Sequence, residues 1–187
     1  MSDTARSAVL MLLALPALLA LACGSDEDTG TGGTGVGAAP AKEVQRLFPS
    51  DRTYKSDDLV AVSMKVINDY DVAALDHAVS AVHLALNNVE YEARFYASHQ
   101  DAVNFGTAWA ADVTGPDANV TGENVKWQEG ASHRRMCSRA AETPHSGCKY
   151  SARYGDYVIA GNMILLCEGG DSETALLTCG NVLKSLK

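Results

Sequence analysis

From Ala8 to Ala22 the chain is uncharged and apolar, interrupted only by Pro16, and the run ends against Cys23. A run this short does not cross a bilayer, which takes about 20 apolar residues. Placed after Arg6 and before small residues, it reads as a secretory signal. Export then decides the chemistry open to the other cysteines. In an oxidising compartment the default fate of a cysteine is a disulfide, not a metal ligand. The chain beyond the leader is therefore expected to fold around sulfur staples.

Two cleavage readings compete. Ala20-Leu21-Ala22 fits an ordinary signal-peptidase site and would leave a free secreted protein. Leu21-Ala22-Cys23-Gly24 resembles the lipobox of bacterial lipoproteins, with Ala20 where that family favours Leu. The resemblance implies that Cys23 becomes the first residue of the mature chain, carries acyl groups such as palmitate, and anchors the protein in an envelope membrane. Cysteine arithmetic favours this second reading. The chain holds five cysteines, Cys23, Cys137, Cys148, Cys167 and Cys179. An odd number leaves one sulfur over in an exported protein. Giving Cys23 to lipid leaves an even set.

The stretch 24–41, GSDEDTGTGGTGVGAAPA, has no large apolar side chain except Val36. Such composition behaves as flexible coil, with a mean reach of roughly 20–25 Å. The expected organisation is a signal peptide at 1–22, the lipidated cysteine and its tether at 23–41, and one globular domain at 42–187. A domain of that length can bury one core. Of the net charge of −8, Asp26, Glu27 and Asp28 carry three, which leaves −5 on 42–187. An acidic domain is a poor partner for nucleic acid, whose binding needs a basic surface.

Along the domain, Glu43–Phe48 reads as a helical turn and Leu59–Ile67 as a half-buried strand. Asp71 reads as the cap of a helix with Leu75, Ala78, Val79, Val82 and Leu86 on one face, ending near Asn87-Asn88. Val89–Ala97 alternates cleanly, with Val89, Tyr91, Ala93 and Phe95 facing one way and Glu90, Glu92, Arg94 and Tyr96 the other. Ser98 with Asp101 opens a helix carrying Ala102, Phe105, Trp109, Ala110 and Val113. Short strands come next at Asn124–Gln128, Ser132–Arg139, Lys149–Arg153 and Asp156–Leu166, with Gly155-Asp156 as a hairpin turn. Asp171 caps a last helix whose face is Leu176, Cys179, Leu183 and Leu186. The expected class is α+β, a mostly antiparallel sheet with helices on one face and two disulfides.

Four paired cysteines allow three connectivities. The preferred pairing is Cys137–Cys148 across adjacent strands and Cys167–Cys179 between the last strand and the last helix. There is no C-x-x-C pair, no H-E-x-x-H and no G-x-S-x-G, so spacing offers neither a metal site nor a hydrolase elbow. No cofactor is expected. His133, Arg135 and Arg139, with Tyr150, Arg153 and Tyr154 across the hairpin, form a candidate basic-aromatic patch. On an acidic domain such a patch would take a small anion or an acidic protein partner. The competing reading is a solvated strand face whose cations pair with Glu90, Glu92 or Glu142.

The layout from Val89 onward resembles the extracytoplasmic sensor domains of certain bacterial Ser/Thr kinases and small lipoproteins related to them. The resemblance rests on the strand Val89–Ala97, on Ser98, Asp101, Ala102 and Phe105, on Trp127, Gly130 and Cys137-x-Arg139, on Arg153 to Ile159, and on Cys167 before the closing helix. This chain lacks a cysteine at the end of the Ser98–Val113 helix and has Cys148 in addition, so that family's pairing does not transfer. The resemblance implies an α+β sandwich that binds or senses something. A membrane-tethered, non-catalytic binding module is thus the leading expectation. The alternatives are an envelope hydrolase using His133 or His99, and an envelope assembly or inhibitor protein.

Overall fold

A computed structural model describes residues 45–137 and 150–187. All of them belong to a compact unit spanning Lys42–Lys187. In chain order its elements are β1 (Leu47–Phe48), α1 (Ser56–Ala61), β2 (Lys65–Tyr70), β3 (Ser80–Leu86), β4 (Val89–Phe95), α2 (His99–Asp101), a π-helical segment (Ala102–Gly106), α3 (Thr107–Ala111), β5 (Arg135–Cys137), β6 (Tyr150–Ala152), β7 (Tyr154–Ala160), β8 (Met163–Glu168) and α4 (Ser172–Ser185). Six strands form one sheet in the order β1-β7-β8-β4-β3-β2, and β5 pairs with β6 in a separate ribbon. Among the described residues every pairing is antiparallel except that of β1 with β7. The α+β class and the mostly antiparallel sheet are as the sequence implies.

Both faces of the sheet are covered by helices, where the sequence reading puts them on one. Alternation along the strands divides the core. Ala93, Phe95, Val158, Leu165 and Cys167 point to a face packed by Leu59 of α1 and by Ala175, Leu176, Cys179 and Val182 of α4. Ile159, Ile164, Leu166 and Tyr96 point to the opposite face, under Ala102 of the π segment and Ala110 of α3. Burying each large apolar side chain contributes about 1.5–3 kcal/mol. The two layers therefore hold the sheet from both sides.

Several elements differ from the sequence reading. Leu59–Ile67 is not one strand: α1 runs through Leu59, and Ser63, at φ 70°, breaks the chain before β2. Asp58 fixes the start of α1 by accepting from the Lys55 backbone N–H at 2.9 Å. The helix expected over 75–86 is mostly β3. Asp71 instead accepts from Ala73 N–H in a local turn. Asn87 and Asn88 both have positive φ, at 52° and 64°, which is the backbone of a type I′ hairpin between β3 and β4. Ala81 to Leu84 are all buried, so the alternation that marks a one-sided strand is lost from the sequence. Leu47–Phe48 is an extended edge paired with Ile159–Ala160, not a helical turn. Residues 124–128 form no strand.

The expected strand Asp156–Leu166 is two strands, turned at Gly161-Asn162, and Gly155 lies inside β7. Gly155 is there for close approach, because a Cβ would run into the backbone oxygens of Asp171 and Gly169. Those oxygens sit at the entry to α4 and are not flexible ends. Gly155→Ala is therefore expected to cost about 1–3 kcal/mol, read as a shift in the urea midpoint; a change below about 0.5 kcal/mol would contradict this packing.

Asp171 caps α4 as expected, accepting from Thr174 N–H at 2.8 Å. Cys179 on that helix bonds Cys167 of β8. This is one of the two preferred bridges. Cys148, the expected partner of Cys137, lies outside the described residues, as does Cys23, where lipidation is expected.

Candidate functional site

Strand β4 is a central strand, and its second face carries Glu92 and Arg94 where apolar residues would ordinarily sit. Both are 0% exposed. Arg134, just before β5, is 1% exposed. Its Nε donates to Glu92 Oε2 at 2.7 Å, and Arg94 Nε donates to Glu92 Oε1 at 2.7 Å. One carboxylate thus bridges two guanidiniums. Burial opposes ionisation of Glu92, but the charges and hydrogen bonds of Arg94 and Arg134 outweigh it and hold its pKa below the ordinary carboxylate value.

Trp127 forms the wall of this cluster. Arg134 lies 4.1 Å and Arg94 5.2 Å from its ring, a cation–π geometry. Arg134 Nη1 donates to the Trp127 carbonyl at 3.0 Å, and the indole N–H donates to the Asp71 carbonyl at 3.3 Å. The irregular stretch before β5 is thereby locked to the sheet without strand pairing.

Beside the cluster stands an aromatic stack. The rings of His83 and His133 are 4.5 Å apart, and Tyr70 stacks on both. The Tyr70 hydroxyl meets His133 Nδ1 at 2.8 Å, and His83 Nε2 meets Glu90 at 2.8 Å. Burial raises the Tyr70 pKa well above the ordinary phenol value. Burial also lowers that of His83, against the opposing pull of Glu90. Outward again, Arg153 bridges Glu90 at 3.1 Å and Glu168 at 3.7 Å, and its Nε donates to the His133 carbonyl.

The candidate patch divides under this geometry. His133 and Arg153 belong to the stack and rim, and Arg153 takes Glu90, as the solvated-face reading anticipates. Arg135 lies over the ring of Tyr150 at 4.5 Å, on the β5–β6 ribbon, and Tyr150 is 46% exposed. Tyr154 is not on a surface: it is 0% exposed in the second core layer, and burial pushes its pKa well up. Arg139 lies outside the described residues. His99 is remote from the patch, its Nδ1 held by the Gly161 carbonyl at 2.7 Å.

Sequence reasoning missed Glu92, Arg94, Arg134, Tyr70 and His83 as members of this site. The available signal is Glu92-x-Arg94 on one face of the best-patterned strand. Arg134 gives none, because it adjoins Arg135 and only the fold separates an inward arginine from an outward one. Among the described residues no group of three His, Cys, Asp or Glu side chains is placed to hold a metal ion.

Fold and site together define an α+β domain with a disulfide-bonded helix on one sheet face and a buried Arg–Glu–Arg cluster on the other. The chain belongs to a family of unknown function, DUF6810, whose model matches residues 55–187. That span contains the cluster, the aromatic stack and the disulfide. Comparison with curated proteins and with solved structures gave no match.

Proposed function

We propose that this chain is a membrane-tethered extracytoplasmic lipoprotein whose domain is a non-catalytic module for an anionic ligand or an acidic protein partner. The observation that carries the binding reading is the pair Arg135–Tyr150. It is a cation held over an aromatic ring on the separate two-stranded ribbon, and among the described residues Arg135 forms no ion pair. On a domain of charge −5 it is a local site of opposite sign, and guanidinium is the side chain suited to carboxylate recognition.

The location rests on the leader ending at Cys23, on the uneven cysteine count and on the Cys167–Cys179 bridge, which is at home in an oxidising compartment. Acyl chains on Cys23 would hold the domain at an envelope membrane, periplasmic or surface-facing, with 24–41 as spacer.

Two measurements test the reading. Cys23→Ser is expected to move the protein from the membrane fraction to the soluble one; a mature N-terminus starting at unacylated Cys23 in the wild type would refute the anchor. An oligoglutamate peptide titrated against the full chain at low salt is expected to bind, and Arg135→Gln to weaken it about fivefold or more. Equal binding by the variant would refute the role of the ribbon.

A further inference from the structure

We propose that the cleft between residues 50–57 and the stretch 95–100 binds a short, uncharged oligosaccharide. None of the residues lining it belongs to the ribbon of Arg135 and Tyr150, and the inference does not depend on that reading.

The first argument is that the cleft is built and held. Two adjoining hollows, of about 450 Å³ and 370 Å³, share Thr53, Ala97 and Asn162 in their lining. Small-molecule sites commonly measure about 300–1,000 Å³. Asn162, 3% exposed, ties both walls together. Its side chain accepts from Tyr54 N–H at 2.6 Å, and donates to the Tyr54 carbonyl at 3.2 Å and the Tyr96 carbonyl at 2.8 Å. Gly161 beside it lets the 50–54 segment cross the β7–β8 turn, since a Cβ there would run into the Arg52 carbonyl oxygen. A cleft fixed in this way needs little ordering when a ligand enters.

The second argument is the polarity of the larger hollow. A carbonyl only accepts, so the 2.7 Å bond between His99 Nδ1 and the Gly161 carbonyl places a proton on Nδ1. The neutral ring then presents Nε2 as an acceptor. Gln100 donates its amide N–H to Asn104 and keeps its amide oxygen. Asp51 adds a carboxylate, because the adjacent Arg52 pairs with Asp58 instead, at 3.6 Å. Ser50 Oγ accepts from Arg52 N–H at 3.0 Å, which leaves its own proton to donate. Acceptors and a donor in one hollow match a ligand whose groups both donate and accept, as hydroxyls do.

The third argument is charge and the change of character along the cleft. Across the two hollows Asp51 and Asp57 balance Arg52 and Lys55, so the lining favours neither an anion nor a cation. The smaller hollow is walled by Tyr54, Val79 and Ala97, and Val79 is 64% exposed. An apolar wall continuous with a polar one suits a sugar, which offers a C–H face and a hydroxyl edge. Two or three linked rings span the change.

The test titrates the full chain by calorimetry with maltotriose, cellotriose, mannotriose and triacetylchitotriose, and with spermidine and citrate as charged probes. At least one of the four sugars is expected to bind saturably, with a Kd of about 1 mM or below, and neither charged probe to compete with it. Asp51→Asn and Gln100→Ala alter exposed side chains and leave the fold intact; each is expected to weaken sugar binding about fivefold or more. Prior saturation with oligoglutamate is expected to leave the sugar affinity unchanged, which separates this cleft from the ribbon. No binding by any of the four sugars, displacement of the sugar by spermidine or citrate, undiminished binding in both variants, or loss of sugar binding in the presence of oligoglutamate would each overturn the proposal.

Discussion

Glu92→Gln is expected to destabilise the domain by about 3–5 kcal/mol, a large share of the roughly 5–15 kcal/mol that holds an ordinary protein folded. The amide keeps the volume and one acceptor oxygen but removes the negative charge shared by two arginines that are 0% and 1% exposed. Removing one partner of a buried ionic group leaves the other's desolvation uncompensated, and here it leaves two. Urea unfolding followed by circular dichroism measures the loss. A second variant separates charge from packing. Replacing Glu92, Arg94 and Arg134 together with apolar residues of similar volume should cost far less than the single substitution, since buried ion clusters are commonly replaceable as a unit. A Glu92→Gln protein within about 1 kcal/mol of wild type would mean that the carboxylate is not the keystone of the cluster.

The same residue gives the domain a pH dependence of definite sign. The folded-state pKa of Glu92 is depressed, so the unfolded chain binds its proton more readily. Its contribution to stability is present above the ordinary carboxylate value, about 4.3, and is lost as pH falls through the folded value. Asp156 acts in the same direction. Burial opposes its ionisation, but two 2.7 Å bonds from Arg46 and one from Ser172 hold its pKa down. Both effects therefore fall in the acid range, and neither makes stability vary with pH near neutrality.

How much of this was legible in the residues depended on how many faces of each element were buried. β4 and α4 each show one dominant apolar face with a polar cap or turn beside it, and both are found where the pattern puts them. β3 is buried on both faces, and its run Ser80-Ala81-Val82-His83-Leu84 satisfies helical spacing by accident. The decisive signal is Asn87-Asn88, since two adjacent residues tolerant of positive φ mark a hairpin better than a helix end. The site was half legible for the same reason. Alternation separates Glu92 and Arg94 from the apolar face of β4 and assigns them by default to solvent. Only the course of 112–134, carrying Trp127 and Arg134 across that face, turns a wet surface into an interior. That connection has little periodicity to read, and its position depends on the cluster it helps to build.

Loss of the Cys167–Cys179 bridge should lower stability by about 3 kcal/mol, or the melting temperature by roughly 10 °C. The two residues are separated by 12 positions and join the last sheet strand to the middle of α4. In the unfolded chain the bridge closes a short loop, and the entropy it withholds there sets the scale of the effect. Both cysteines are fully buried among Leu165, Ala175, Leu176 and Val182. The Cys167→Ala/Cys179→Ala double variant therefore loses the cross-link and some packing volume together, whereas reduction of the wild type loses the cross-link and retains both sulfurs. Comparing urea midpoints of oxidised, reduced and doubly substituted protein resolves the two contributions. The ordering expected is oxidised above reduced above substituted, with the first gap the larger. If reduction shifted stability by less than about 1 kcal/mol, α4 would be held by its apolar face alone and the sulfur link would be incidental to the fold. A gap of the expected size instead means that a chain folding under reducing conditions starts with its closing helix weakly held, which ties the stability of this domain to the redox state of its surroundings.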